Sequence, residues 1–367
     1  MILLLTFAIW LYLVFFHGRF WDSGPELSPA APQDTPDVDI IIPARDEVAT
    51  IGAVITSLLN QSYAGKFRVI LVDDNSTDGT AAAAGTHDRL TIITGQEKPP
   101  GWSGKLWALS QGVAAGSAPI ILFADADITH EPAHLATLVA KMQSDHLQMV
   151  SEMVRLNCVS WPEKLLIPAF IYFFQMLYPF ARVNDPRART AAAAGGTVLI
   201  KRQALEQIGG LARIKAALID DVSLAREVKK TGGIYLGHAG LATSIRPYPK
   251  FRDIWDMITR TAYTQLRYSP LWLIGTLIGM ALVWLVFVWS VFFAGLGWQS
   301  GLGLAIWAMA AMSYFPTLDR YHVPRFYAAL LPAIALFYML ATIGSAVNHY
   351  CGTGAKWKSR SYDGINS

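Results

Sequence analysis

The chain has 367 residues, of which 53% are hydrophobic and only 16% charged, with a formal net charge of +3. That length holds one good-sized domain plus extra elements, and the near-balanced charge gives no argument for nucleic acid as a partner. The two cysteines, Cys158 and Cys351, stand far apart and form no disulfide or metal pattern.

The apolar excess gathers in residues 3–16 and 271–347, on either side of a middle of ordinary globular composition. This layout predicts a water-facing domain tethered to a bilayer at both ends. No Lys or Arg precedes the first run and no small-residue cleavage site follows closely, while His17 and Arg19 come just after it. Residues 1–20 therefore read as an uncleaved transmembrane anchor whose following domain stays in the cytoplasm. Residues 21–37 include GPELSPAAPQDTP, with Pro25, Pro29, Pro32 and Pro36, and are expected to form an extended spacer.

From Val38 the pattern changes. VDIIIPA, FRVILVDD, LTIITG and PIILFADAD are short apolar runs, each followed by polar or glycine-bearing residues and mostly by helical stretches. Buried strands alternating with helices predict an α/β domain over residues 38–247, built on a parallel, doubly wound sheet. Ligands of such sheets bind beyond the carboxyl ends of the strands, where ARDE, DDNSTDGT and DADITH all fall. Further on, GGTVLIKR reads as a strand entering a helix and IDDVSLAREVKK as a helix opening with two acids. IYLGHAG and LATSIRP read as two short strands.

Residues 165–180 are almost long enough for a span but contain Pro168, Gln175 and Pro179. A crossing there would separate Asp127 from Asp221, so a membrane-surface segment is expected instead. Residues 248–270 mix Trp, Tyr, Phe and Arg, as an interfacial helix would. Within 271–350, three runs (271–293, 302–318 and 326–347) are candidate transmembrane helices, and Pro316 makes the middle one the weakest. The loop with Arg320, His322 and Arg325 and the tail over 351–367 with Lys356, Lys358 and Arg360 are both basic. The positive-inside rule cannot favour both across a single helix, and one segment is a candidate for a re-entrant path.

Asp125 and Asp127 end an apolar strand one residue apart. On a strand they would point the same way, and two like charges side by side need a cation between them or screening water. Their oxygens suit Mg²⁺ or Mn²⁺ bridging a diphosphate; a solvated turn is the plain alternative. Asp73 and Asp74, in VDDNSTDGT, can accept hydrogen bonds from ribose or base, while Asp78 reads as a helix cap. In PGWSGKLWALSQG, Lys105 opens a helix against the dipole, which an anionic ligand would offset, unless the lysine is simply exposed. Asp220 and Asp221 open another helix. One acid suffices for the dipole, and the second is a candidate general base. Arg267, in QLRYSP, is a candidate to neutralise a diphosphate or a snorkelling interfacial arginine.

Together IIPARDE, VDDNSTDGT, DADITH and the acidic pair before a helix resemble the glycosyltransferase family 2 pattern, in the family's order from about Val38 to Arg267. The resemblance implies a nucleotide-sugar-binding fold of the GT-A type. It implies that Pro43, Arg45, Glu47, Asp73 and Asp74 line the nucleotide pocket with Lys105 and Asp125 at the donor. It further implies that Asp125 and Asp127 serve metal and diphosphate, and that Asp221 is the base, with Lys105 and Arg267 on the leaving group. PGWSGKLWALSQG, EKLLIPAFIYFFQMLYPF, IDDVSLA and AYTQLRYSP are most similar to the hopanoid-associated membrane glycosyltransferases. Polyprenyl-phosphate sugar transferases share VDDNSTDGT, but their phosphate acceptor needs no base. Processive synthases carry Q-x-x-R-W, whereas this chain has Gln265, Leu266, Arg267 and Tyr268.

The expectation is an inverting transferase that uses a divalent metal to move a sugar from a nucleotide diphosphate to a hydroxyl-bearing lipid in the bilayer. The resemblance sets it in a bacterial inner membrane with the catalytic domain facing the cytoplasm. A non-catalytic membrane scaffold that retains a nucleotide-binding fold is the competing class.

Overall fold

The computed structural model describes residues 1–351, 356–357 and 360–361; Lys358 and most of the expected tail lie outside the described residues. The chain divides into two units. One comprises Pro25–Asn157 and Arg182–Arg246; the other comprises Met1–Gly24, Cys158–Ala181 and the helices from Pro247 onward.

The first of these contains β1 (Val38–Ala44), β2 (Phe67–Asp73), β3 (Leu90–Thr94), β4 (Ile120–Ala124), β5 (Ile128–His130), β6 (Met149–Arg155), β7 (Thr197–Lys201) and β8 (Ile234–Ser244). They form one sheet in the order β3-β2-β1-β4-β7-β6-β8-β5. β1 to β4 run parallel, as expected. The second half is mixed: β7 is antiparallel to both β4 and β6, β8 is parallel to β6, and β5 is antiparallel to β8. β1 and β4 are buried along their whole length, the condition for near-continuous apolar runs in a sheet covered on both faces. Ile40, Ile42, Leu71, Leu122, Leu138, Val150 and Leu199 belong to the main core cluster.

IYLGHAG and the first four residues of LATSIRP form one 11-residue strand, not two. Their glycines do not break it but make room: a Cβ on Gly240 would lie 2.3 Å from Glu26 Oε1, the close approach that strand glycines allow. The chain over 25–37 is mostly extended, as expected, yet it is fastened to the domain. The Pro25 carbonyl accepts from the His238 N–H at 2.7 Å. Gln143 Oε1 accepts from the Gln33 and Asp34 N–H groups, and its Nε2 donates to the Asp34 carbonyl.

In the other unit, two helices among the described residues are each long and apolar enough to cross a membrane, Trp298–Arg320 and Arg325–Tyr350, or three if the bent pair Phe251–Gln265 and Pro270–Trp284 is one span. The N-terminal helix Ile2–Phe16 is shorter, at 15 residues. Its Thr6 and Trp10 donate to the carbonyls of Leu282 and Val283, the kind of bond that replaces water where none is available. The middle candidate expected to be weakest is continuous over 23 residues with Pro316 inside it; the first is the interrupted one, ending at Trp284 and resuming as Val286–Phe293. Phe251–Gln265 and Pro270–Trp284 meet at 118°. Arg267 and Tyr268 stand between them with φ of 54° each, a left-handed conformation that breaks a helix and is costly for large side chains. The segment expected at the membrane surface is a helix, Trp161–Leu177, whose Leu166, Ile167, Ile171 and Tyr172 are buried. Tyr172 shares a 2.6 Å hydrogen bond with Ser313, and Tyr338 donates to the Leu166 carbonyl.

Candidate active site

The carboxyl ends of β1, β2 and β4 converge, and their loops are laced together. Asp46 adopts φ of 52° and accepts the Thr77 N–H on Oδ1 at 2.9 Å. The Glu47 N–H donates to Thr80 Oγ1, and the Val48 N–H to Asp78 Oδ2. Asp78 also accepts from the Thr80 N–H, but the cap position of the helix Thr80–Ala83 is held by Gly79, not by Asp78 as its reading as a helix cap expects. Arg45 faces Asp74 at 3.4 Å, where Asp74 is fully buried. Asp73 accepts the Ser76 N–H at 3.1 Å. Both residues are thus part of the strand-end architecture.

Asp125 and Asp127 sit in the turn between β4 and β5, not on a strand. Strand alternation therefore does not govern them, and each has its own cation. Lys105 Nζ lies 2.8 Å from Asp125 Oδ1 and 3.6 Å from Asp220 Oδ2. Arg246 bonds Asp127 through Nε and both oxygens of Glu47 through one terminal nitrogen, at 2.6 and 2.8 Å. Lys105 follows Ser103 and Gly104 at the start of the helix Gly104–Ala115, where Ser103 Oγ caps the Leu106 N–H. The sequence assigns the offset of this misplaced charge to an anionic ligand. In the fold the protein's own acids supply it: burial alone would lower the lysine's pKa, but Asp125 and Asp220 hold it well above the usual value.

Asp221 closes the same cleft, which Pro43, Lys105, Phe123, Asp125 and Leu224 also line. One of its oxygens accepts from the Gly195 N–H at 3.0 Å and the other from the Val222 N–H at 2.7 Å. Burial, then repulsion from Asp220, push its pKa up to about 7 against the opposing effects of those N–H groups and Lys105. The pKa of Asp125 is also raised: burial and the charges of Asp127 and Asp220 outweigh Lys105. The acids of this cleft are under-neutralised. Carboxylate oxygen suits a hard divalent cation, and Asp125 and Asp127 are of that donor type, although each already pairs with a cation of the chain. Among the described residues no group of three His, Cys, Asp or Glu side chains closes on one point.

Arg267 belongs to the other unit and is not among the residues gathered here. Arg246 was missed in the sequence, yet it stands two residues beyond the end of β8, just before Pro247. The strand-end rule that picked out Asp73 and Asp127 would have found it too. His134 was also missed. It lies buried between His130, at 2.8 Å, and Glu152, at 2.8 Å, and so ties β5 to β6 through a helix.

A parallel half-sheet joined to a mixed half, with acids at its strand ends, defines a GT-A-type α/β fold. Residues 39–209 match the family model described as Glycosyl transferase family 2. A β-monoglucosyldiacylglycerol synthase from Nostoc is 25% identical over 61% of this chain and 52% of its own length. A probable glycosyltransferase from Bacillus subtilis is 26% identical over 66% of this chain and 56% of its own length. The chain thus spans about half the length of these curated relatives. Among solved structures, a mannosyltransferase from Pyrobaculum calidifontis, in complex with GDP-Man and Mn²⁺, superposes with a TM-score of 0.55. It is 21% identical, with 98% of this chain and 99% of that one covered, and the likeness speaks for the fold.

Proposed function

We propose that the protein is a membrane-bound inverting glycosyltransferase that moves a sugar from a nucleotide-diphosphate donor to a hydroxyl-bearing lipid. One observation carries the reading. Asp221, with a pKa near neutrality, faces the same cleft as the Lys105–Asp125 pair. A carboxylate that titrates near neutral pH is matched to taking a proton from an alcohol. Asp221 removes the acceptor's hydroxyl proton as that oxygen attacks the anomeric carbon, and the bond from that carbon to the diphosphate oxygen breaks. The Gly195 and Val222 N–H groups fix the carboxylate during the transfer. Lys105 stabilises the charge that develops on the leaving diphosphate. Arg45, Glu47, Asp73 and Asp74, with Pro43, form the nucleotide side of the site.

A divalent ion, when bound, supplies Lewis-acid stabilisation of the diphosphate, and Asp125 and Asp127 are the residues to hold it. The lipid acceptor is supported by the diacylglycerol named in the Nostoc relative and by the apolar helices. A link to hopanoid biosynthesis and a cytoplasmic-facing site in a bacterial inner membrane are the narrower parts of the proposal. They rest on the likeness of PGWSGKLWALSQG, IDDVSLA and AYTQLRYSP to the hopanoid-associated enzymes.

The test incubates membranes containing the full chain with labelled nucleotide sugars and Mg²⁺ or Mn²⁺, followed by mass spectrometry of the extracted lipids. A glycosylated lipid that disappears on chelation is the expected result. No transfer from any donor of the panel removes the proposal.

A further inference from the structure

β6 reads MVSEMVR, an apolar strand interrupted by Ser151, which is completely buried. Its hydroxyl does two things at once. Oγ accepts the N–H of Ala194 at 2.8 Å and donates to the carbonyl of the same residue at 3.0 Å. Residues 191–194 are buried but belong to no helix or strand, so no ladder serves their backbone groups. A buried amide left without a partner is costly, and Ser151 satisfies both groups of Ala194.

The next two residues are the ones that touch the site. The Gly195 N–H holds Asp221 Oδ2 at 3.0 Å, and the Gly196 carbonyl accepts the Asp125 N–H at 3.2 Å. The fit is close: a Cβ on Gly195 would stand 3.4 Å from both Asp221 Oδ2 and Lys105 Nζ. The far end of the segment is fastened independently. Lys229, directly after the helix Asp220–Val228 that carries Asp221, donates from Nζ to the carbonyls of Arg182, Val183 and Thr190, at 3.3, 2.7 and 2.7 Å. The helix is thus tied near its start to Gly195 and just past its end to Thr190, as well as to the helical residues Arg182 and Val183, and Ser151 fixes the segment between Thr190 and Gly195 where it meets the cleft.

We propose that Ser151 is a positioning residue for the transfer reaction, clamping Ala194 so that Gly195 and Gly196 hold Asp221 and the Asp125 turn at a set separation. The inference rests on the assignment of Asp221 as base, and it adds a residue from a strand with no place in the cleft lining. Small displacements of a catalytic group slow the chemical step more than they weaken binding.

The experiment compares wild type, Ser151→Ala, Ser151→Thr and Asp221→Asn in membranes, measuring kcat and donor KM of lipid glycosylation. Ser151→Ala should lower kcat by about 10- to 100-fold with donor KM within about twofold. Ser151→Thr, which keeps the hydroxyl, should recover most of the rate. If Ser151→Ala does not fold, Ser151→Cys, which keeps the volume but has only a weak acceptor, replaces it. A kcat within about threefold of wild type in the folded variant, or a loss that Ser151→Thr fails to restore, overturns the inference. Full turnover by Asp221→Asn overturns the base assignment instead, so the two failures are distinguishable.

Discussion

The two ends of one sheet treat their aspartates in opposite ways. At the amino end of β1, Asp39 is 1% exposed and is surrounded by donors. Arg68 bonds one oxygen at 2.6 Å; Arg202 and the Ala118 N–H bond the other at 2.9 and 2.8 Å. Despite burial, these partners hold its pKa below the usual carboxylate range. At the carboxyl ends, Asp125, Asp220 and Asp221 share one lysine, and burial with mutual repulsion holds Asp125 and Asp221 above that range. One arrangement is saturated and serves the fold. The other is short of positive charge, so protons and cations can still be taken up there, as acid–base and diphosphate chemistry require.

Substitutions should separate the two ends. Asp39→Ala leaves two arginines facing a buried void and should destabilise the protein by about 3–5 kcal/mol, measured by thermal unfolding, with the turnover of the remaining folded protein little changed. The contribution of Asp39 is present above the ordinary carboxyl pKa and lost as pH falls below it, so Asp39→Asn should flatten unfolding on the acid side. Lys105→Met should instead spare folding and reduce transfer by about 100-fold, because both the leaving-group charge and the balance of acids depend on it.

Turnover in the wild type should rise with pH up to about 7, following ionisation of Asp221, and fall about tenfold per unit below that. Removing Lys105 takes away a charge that favours ionised Asp221, so in Lys105→Met the acid limb should move to higher pH. The smallest effect is expected for Arg246→Gln. Arg246 is 30% exposed in its pairs with Glu47 and Asp127, and its loss should cost about 1 kcal/mol or less in stability.

The strands were legible where an apolar run met a polar break, and β1, β2, β3 and β4 stand where VDIIIPA, FRVILVDD, LTIITG and PIILFADAD put them. The mixed second half was not, because parallel and antiparallel strands with the same burial carry the same pattern. The join of IYLGHAG to LATSIRP was hidden by glycines that serve packing rather than turning. Asp125, Asp127 and Asp221 were visible as pairs of acids at element ends, and a turn was open as the alternative for the first two, but the separate cations they pair with there were not visible. Ser151 left almost no trace, and Arg246 showed only as a basic residue beyond a strand end. Their importance lies in partners about 100 residues or more away for Arg246 and 43 residues away for Ser151, and spacing along the chain does not report such contacts.

The most direct test of the account measures donor binding and sugar transfer side by side in membranes carrying wild type or Asp221→Asn. The substitution keeps the size of the side chain and an acceptor for the Gly195 N–H but removes the base. Donor binding should stay within about threefold while transfer falls by about 100-fold or more. Transfer at the wild-type rate, or donor binding lost in step with transfer, would contradict the assignment of Asp221 as the base.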